Sequence, residues 1–353
     1  MPVHHRTAPQ SSVGRSLTFI ALVVAAASLL AVPTARAEPA EADSLLAEAD
    51  RALERGEFAL AESLLEEADP LVDDGRVEHG RARLALGRED HDAAIAHARS
   101  AIKRNRANSD FHLTLAYGYG LKAATGGMSA LFYAGKFKGA CEEAVECDPD
   151  NVEAHFAILQ YYLMAPGFAG GGDEKAEETI RTIESLDPFY GHLARGTAAW
   201  AEEDMEGAER EYTAAARLDT ASAEGWGALG VFYMEQERYE DAIPVGERVL
   251  LLEPDNLEAV YALAKARLLA GGRAGEAAGG FRRYIEEGGD PRGATEAEAR
   301  WRLGMAHAQA GRWEDALDEW RLSLELDPEL ERAAALVESL VNARPELERD
   351  AGR

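Results

Sequence analysis

The sequence predicts an all-α protein, a solenoid of about eight stacked helix pairs with a capping helix at its C-terminal end. Three observations lead there. A motif recurs with a period of 34 residues through most of the chain. Within each recurrence, apolar residues return at helical spacing rather than in strand-like alternation. A proline closes several recurrences, and proline disfavours helical backbone in the residue before it, so a helix ends there.

The N-terminal residues form a separate element. His4, His5, Arg6 and Arg15 make a basic leader free of acids, and Leu17 to Val32 is a run of apolar and small residues. Pro33-Thr34-Ala35-Arg36-Ala37 follows as an A-x-A cleavage pattern before Glu38. The run is shorter than the ~20 residues of a membrane span. Residues 1–37 therefore read as a cleavable signal peptide, which predicts a periplasmic or secreted protein; the alternative is an uncleaved N-terminal anchor. No Cys follows the run and no Arg-Arg pair precedes it, which points to the general export route. The rest of the chain has no apolar run of spanning length.

Residues 1–37 hold three arginines and no acid, so the remainder carries 34 basic against 64 acidic residues. That balance argues against nucleic acid, whose binding needs basic surface to displace counterions, and against anionic membrane surfaces. Basic peptides or proteins remain compatible partners; equally, the acid serves solubility. Cys141 and Cys147 lie six apart on one expected helix, a separation of roughly 9 Å. That is too far for a disulfide within the helix, and both read as thiols acting as small apolar residues.

The clearest recurrence runs from Ala223 to Asn256. Trp226, Leu229, Gly230, Tyr233, Ala242 and Pro254 stand at its fourth, seventh, eighth, eleventh, twentieth and thirty-second places. With that W-x2-L-G-x2-Y…A…P pattern the chain resembles the tetratricopeptide repeat family. In chain order, weaker units begin near Ala42 and Gly75. Units near Ser109 and Val152 are closed by Asp148-Pro149 and Asp187-Pro188, and further units begin near Phe189, Ala223, Leu257 and Ala297. Small residues such as Gly230, Gly304, Ala242 and Ala316 are expected to let paired helices approach closely. Residues 331–353 complete the chain as a capping helix, Glu331 to Ala343, and a short tail, with Ala335, Leu336, Leu340 and Val341 along one side. Residues 38–330 are then the solenoid, and the resemblance implies a right-handed superhelix.

Two adjacent units exceed the consensus length. One carries extra residues around Leu121 to Lys136, the other Ala165 to Gly172. Corresponding turns of neighbouring repeats project from one edge, so the two insertions should lie side by side. Met128, Phe132, Tyr133, Met164 and Phe168 would form an apolar rim. In the alternative, the second helix starts two turns earlier and Met128, Leu131, Phe132 and Phe137 are packing residues.

The resemblance also implies a concave groove, lined by first-helix residues, that holds extended peptides or helices. Carried over place by place (second, fifth, ninth and twelfth), the groove residues include Leu113, Tyr117, Phe156, Gln160, Trp200, Tyr261 and Lys265. His79 and Leu113 occupy fifth places where a clamp for a terminal carboxylate would put polar donors. Glu153, Glu224, Glu258 and Glu298 share the second place, as a groove stripe or as ordinary first-turn acids favoured by the helix dipole. His112, His155 and His192 share the fourth place. Neighbouring helices lie roughly 10 Å apart, whereas zinc ligands converge within about 2 Å of one ion, so these histidines are expected to pack rather than bind metal.

No catalytic pattern is complete. Gly135-Lys136 lacks both the first glycine and the Ser or Thr of a phosphate loop. Gly118-Tyr119-Gly120 lacks the third glycine of a dinucleotide loop, and neither H-E-x-x-H nor G-x-S-x-G occurs. The expectation is a non-enzymatic scaffold or adaptor of the cell envelope, without cofactor or metal, binding a peptide or protein segment. The alternative is a ligand-binding accessory of a periplasmic transport system.

Overall fold

A computed structural model describes residues 40–127, 129–290 and 293–347. The expected leader at 1–37, Met128 of the expected rim, and the tail from 348 lie outside these residues. Among the described residues the fold is all helix, as predicted, with seventeen α-helices in chain order. They divide between two compact units, one ending at Glu202 and the other beginning at Glu203. The repeat pattern gives no sign of that boundary, which falls in the turn of the recurrence that begins near Phe189.

The first unit holds α1 (Ala40–Glu54), α2 (Phe58–Ala68), α3 (Arg76–Gly87), α4 (His91–Arg104), α5 (Ser109–Ala124), α6 (Ala130–Cys147), α7 (Val152–Met164), α8 (Asp173–Leu186) and α9 (Pro188–Ala201). The second holds α10 (Met205–Leu218), α11 (Glu224–Glu235), α12 (Tyr239–Leu252), α13 (Leu257–Ala270), α14 (Ala274–Glu286), α15 (Glu296–Gln309), α16 (Trp313–Leu326) and α17 (Glu331–Ala343). The odd-numbered helices α1 to α15 begin within two residues of the eight expected unit starts.

Local chemistry sets these boundaries. Asn108, Asn151 and Asn256 cap α5, α7 and α13, each side-chain oxygen accepting from the backbone N–H three residues on. Asp187 does the same for α9, whose first residue is Pro188, a residue with no N–H to satisfy. The turns within pairs need one left-handed residue. Gly56 and Gly311 supply it without strain, while Glu89, Glu203 and Glu237 adopt φ near 60°.

Close helix approach is built from small side chains. Ala94, Ala98 and Ala101 on α4, and Ala316 on α16, are fully buried. Gly304 on α15 lies under the Trp320 ring; a Cβ there would sit 2.4 Å from Trp320 Nε1 and 3.1 Å from the Ala316 carbonyl oxygen. That proximity lets Trp320 Nε1 donate to the Trp301 carbonyl at 3.0 Å, inside a cluster that includes Leu317, Leu330, Ala333 and Leu340. The capping helix has the expected bounds, but its buried side differs. Ala335 is exposed, and Ala333 and Val337 join Leu336, Leu340 and Val341 against Trp313 and Trp320.

The Gly304→Ala substitution should therefore destabilise the protein by about 1–3 kcal/mol through overpacking. Gly227→Ala, on α11 where no atom lies within 4 Å of the added carbon, should be neutral or stabilising by about 0.5–1 kcal/mol. Urea unfolding of the two variants measures the contrast.

Candidate functional site

Within each compact unit, side chains of successive first helices join edge to edge into a wall. In the first unit, Arg76 of α3 donates to Asp43 of α1 at 2.8 Å, and Arg83 pairs with Asp50 one helical repeat further along. His79 Nε2 lies 2.8 Å from Thr114 Oγ1 of α5. Tyr117 of α5 donates its hydroxyl to Glu153 of α7 at 2.7 Å. The second unit repeats the device. Arg302 of α15 donates to the Tyr261 hydroxyl of α13 at 2.7 Å, and Arg332 of α17 to Glu298 of α15 at 3.3 Å. Burial shifts several of these groups. The His79 imidazole is pushed down to about 3 by desolvation, helped by the Arg83 charge. The Tyr117 hydroxyl is held well above its usual range by burial and by Glu153.

The sequence-predicted groove residues fall in two groups. In the first unit, Leu113 is buried in the core beside Ile95, Ala98 and Ala116. Tyr117 and Phe156 are half-buried, Phe156 against Leu159 and Ile180, and Trp200 is half-buried near the end of α9. Gln160 is 7% exposed, and its Nε2 has no hydrogen-bond partner among the described residues. In the second unit, the Tyr261 ring packs 5.5 Å from Phe281 and 5.0 Å from Tyr284. Lys265 is half-buried, and desolvation with the nearby Arg302 charge holds its ammonium below the usual lysine range. Trp301 was legible by register, since it shares the fifth place with Tyr261. Arg302 and Arg332 were not: one stands at a sixth place, which carries no groove expectation, and the other on the cap.

The second insertion lies near α6, the helix that the first insertion lengthens. The first is absorbed by lengthening both helices, to 16 residues in α5 and 18 in α6, around a turn at Gly126 and Gly127 with φ of 77° and 76°. The second forms a short 3-10 turn, Gly167–Ala169, tied down where Tyr161 donates to the Ala169 carbonyl at 2.6 Å. A Cβ on Gly170 would meet Lys138 Cε of α6 at 3.8 Å. The rim residues divide by burial. Tyr133 packs on the core, Phe137 stacks on Tyr161 with ring centres 6.5 Å apart, and Met164 is half-buried. Phe132 and Phe168 project, 60% and 85% exposed. Lys136 Nζ stands 4.8 Å from the Phe132 ring.

The shared-place histidines have a local explanation. His112 Nε2 reaches the Arg106 carbonyl at 2.9 Å and His155 Nε2 the Pro149 carbonyl at 2.8 Å, each tying its helix to the loop six residues earlier. Among the described residues, no three His, Cys, Asp or Glu side chains gather as a metal would require. Both cysteines are free thiols, and burial pushes the Cys141 thiol well up, away from reactivity. Glu153 and Glu298 of the expected acidic stripe are engaged by Tyr117 and Arg332.

Comparison with known proteins agrees with the repeat reading. Residues 193–250 and 233–294 match one model of the tetratricopeptide repeat, and residues 297–330 match a second. The tetratricopeptide family is thus supported by sequence over the C-terminal part of the chain. Such repeats serve protein or peptide partners, and no enzyme family is indicated. Yeast Tom70 is similar in structure, with a TM-score of 0.65 at 13% identity over 97% of this chain and 76% of that one. The Cut9-Hcn1 complex of the APC/C gives 0.48 at 14% identity, over 85% of this chain and 55% of that one. Pseudomonas aeruginosa PilF gives 0.45 at 15% identity, over 67% and 99%. At these identities the likeness concerns the fold alone. No curated protein matches the sequence.

His79 gives the wall a pH signature. Its folded pKa lies below the unfolded value of about 6.5, so the unfolded chain takes up the proton first as pH falls. Stability from this group is complete above pH 6.5 and declines towards pH 3, by up to about 1.4 kcal/mol per unit. His79→Gln should flatten the fall in urea midpoint between pH 7 and pH 5; an identical slope in variant and parent would show that His79 carries none of it.

Proposed function

We propose that this chain is an exported scaffold of the cell envelope which holds an extended segment of a partner protein along the first helices of its first compact unit. The observation that carries the reading is the Gln160 side chain. A buried amide nitrogen without a partner costs about 1–3 kcal/mol, and Gln160 bears that cost at a ninth place of the repeat, beside the half-buried Phe156. Once the Gln160 side chain turns outward, a main-chain carbonyl of a bound segment supplies the missing acceptor, and the apolar flank of Phe156 suits its side chains. The tetratricopeptide repeats support an interaction role, and the basic leader, apolar run and A-x-A pattern support export.

Removing the donor should then separate binding from folding. Gln160→Leu keeps the bulk and deletes the orphaned group, so stability should hold or rise while partner affinity falls about tenfold or more. Affinity capture from a cell-envelope extract, quantified against the parent chain at several protein concentrations, measures it. Equal capture by both proteins would remove Gln160 from the binding wall.

A further inference from the structure

The two insertions depart from the rest of the chain in charge. Residues 111–141 and 154–172 hold no Asp or Glu, and they are the longest acid-free stretches after residue 37 in a chain with 64 acids. Of the six lysines in the chain, Lys122, Lys136 and Lys138 lie in the first stretch and Lys175 just beyond the second. Two of the four are paired, Lys122 with Asp92 and Lys138 with Glu142 at 2.7 Å. Lys136 and Lys175 have no carboxylate within ion-pair distance among the described residues. Lys136 Nζ stands over the Phe132 ring, and Lys175 Nζ donates to the Gly170 carbonyl at 3.2 Å.

The apolar side chains here are unusual as well. Phe132 and Phe168 are the only exposed Phe, Tyr or Trp side chains among the described residues, and Leu131 beside Phe132 is 57% exposed. All lie in the first compact unit. The second insertion approaches α6 at Lys138, six residues along the helix from Phe132, a separation of about 9 Å. Three of the lysines lie over rings: Lys122 Nζ is 5.3 Å from the centre of Tyr133, Lys136 Nζ 5.3 Å from Tyr119, and Lys175 Nζ 5.4 Å from Tyr162. Exposed rings accompanied by such lysines make up the chemistry of a bilayer interface, where aromatic side chains sit at headgroup depth and lysines reach outward to the phosphates.

We propose that this insertion edge is a peripheral docking surface for an anionic phospholipid bilayer. Leu131, Phe132 and Phe168 enter the boundary between headgroups and acyl chains, and Lys136 and Lys175 meet lipid phosphates. Charge selects that occupant: a basic protein would repel both lysines, and a neutral apolar partner would leave their charges unmet. Form selects it too. Phe168 projects from a turn instead of lining a groove, which suits insertion into a fluid phase. The net charge of the whole chain points the other way, but it is an average that these stretches do not share. Acids farther from the bilayer than a Debye length, about 8 Å at physiological salt, are largely screened. Asp173 and Glu174, in the first turn of α8, close the surface on the side of the second insertion.

The test needs no partner protein, so its outcome is independent of Gln160. Phe168→Trp adds one indole to the full chain, and the five native tryptophans are common to both proteins. Each protein is mixed with vesicles of equimolar phosphatidylglycerol and phosphatidylcholine, or of phosphatidylcholine alone, carrying brominated acyl chains. Quenching in excess of the parent belongs to position 168, so it reads docking of this edge whatever else brings the chain to the vesicle. The excess should be large on the anionic vesicles and small on phosphatidylcholine. Adding Lys136→Gln and Lys175→Gln should weaken docking about fivefold per lysine, and adding Phe132→Ser about tenfold; all three side chains touch solvent, so Tm should hold. Equal quenching of variant and parent, or an excess as large on phosphatidylcholine, would overturn the proposal. So would an excess unchanged by the lysine and Phe132 substitutions. A lipid-free dimer of the parent that Phe132→Ser with Phe168→Ser dissolves would also overturn it, by giving the edge to a second copy of the chain.

Discussion

The structure depends first on how closely helices of one pair can approach. Where Ala316 and Gly304 face each other, the backbone separation leaves room for the Trp320 ring and nothing more. The same economy recurs at Ala94, Ala98 and Ala101, whose side chains are fully buried. A helix pair packed through such small residues buries too little apolar surface to be stable alone, so each pair must cover its flank with the next. Stacking in turn brings the first helices side by side, and this is what allows Asp43, Arg76, Tyr117 and Glu153 to reach across from one helix pair to the next.

The wall made this way is mostly self-satisfied. Charged and hydroxyl groups pair along it, and half-buried pairs of this kind specify register more than they stabilise. A few buried groups break the pattern. Gln160 Nε2 in the first unit, and Trp226 Nε1 and Trp301 Nε1 in the second, have no hydrogen-bond partner among the described residues. Natural proteins satisfy nearly all buried polar groups, and under the proposed function a partner supplies the acceptor that Gln160 lacks. The projecting rings of Phe132 and Phe168 differ in kind: they are exposed apolar surface without an unmet polar demand.

Much of the fold was legible because the repeat is written in residues that backbone geometry requires. Gly304 cannot carry a Cβ, Asn256 is needed as a cap, and Pro188 suits a helix start; each appears at a fixed place. The insertions were legible in position but not in form. Glycines at 126 and 127 mark a turn, yet sequence spacing alone does not decide which residues on either side join the helices. The groove residues were read by place number, which fixes the face of a helix and not the depth of burial. Leu113 and Gln160 share that face with Tyr117, but neighbours from the adjoining helices bury them more deeply. The Arg302–Tyr261 hydrogen bond joins residues 41 positions apart through the stacking of α13 and α15, and it involves a sixth place that a pattern based on single helices leaves out.

A site-specific photo-cross-linker tests the central claim most directly. It would replace Phe156 on the wall in one protein and Phe132 on the projecting insertion in another, with irradiation in the cell envelope. The account predicts a discrete adduct to a partner protein from position 156 and little or none from position 132. An adduct from position 132 with none from position 156 would contradict it, moving the binding surface from the first helices to the insertion edge.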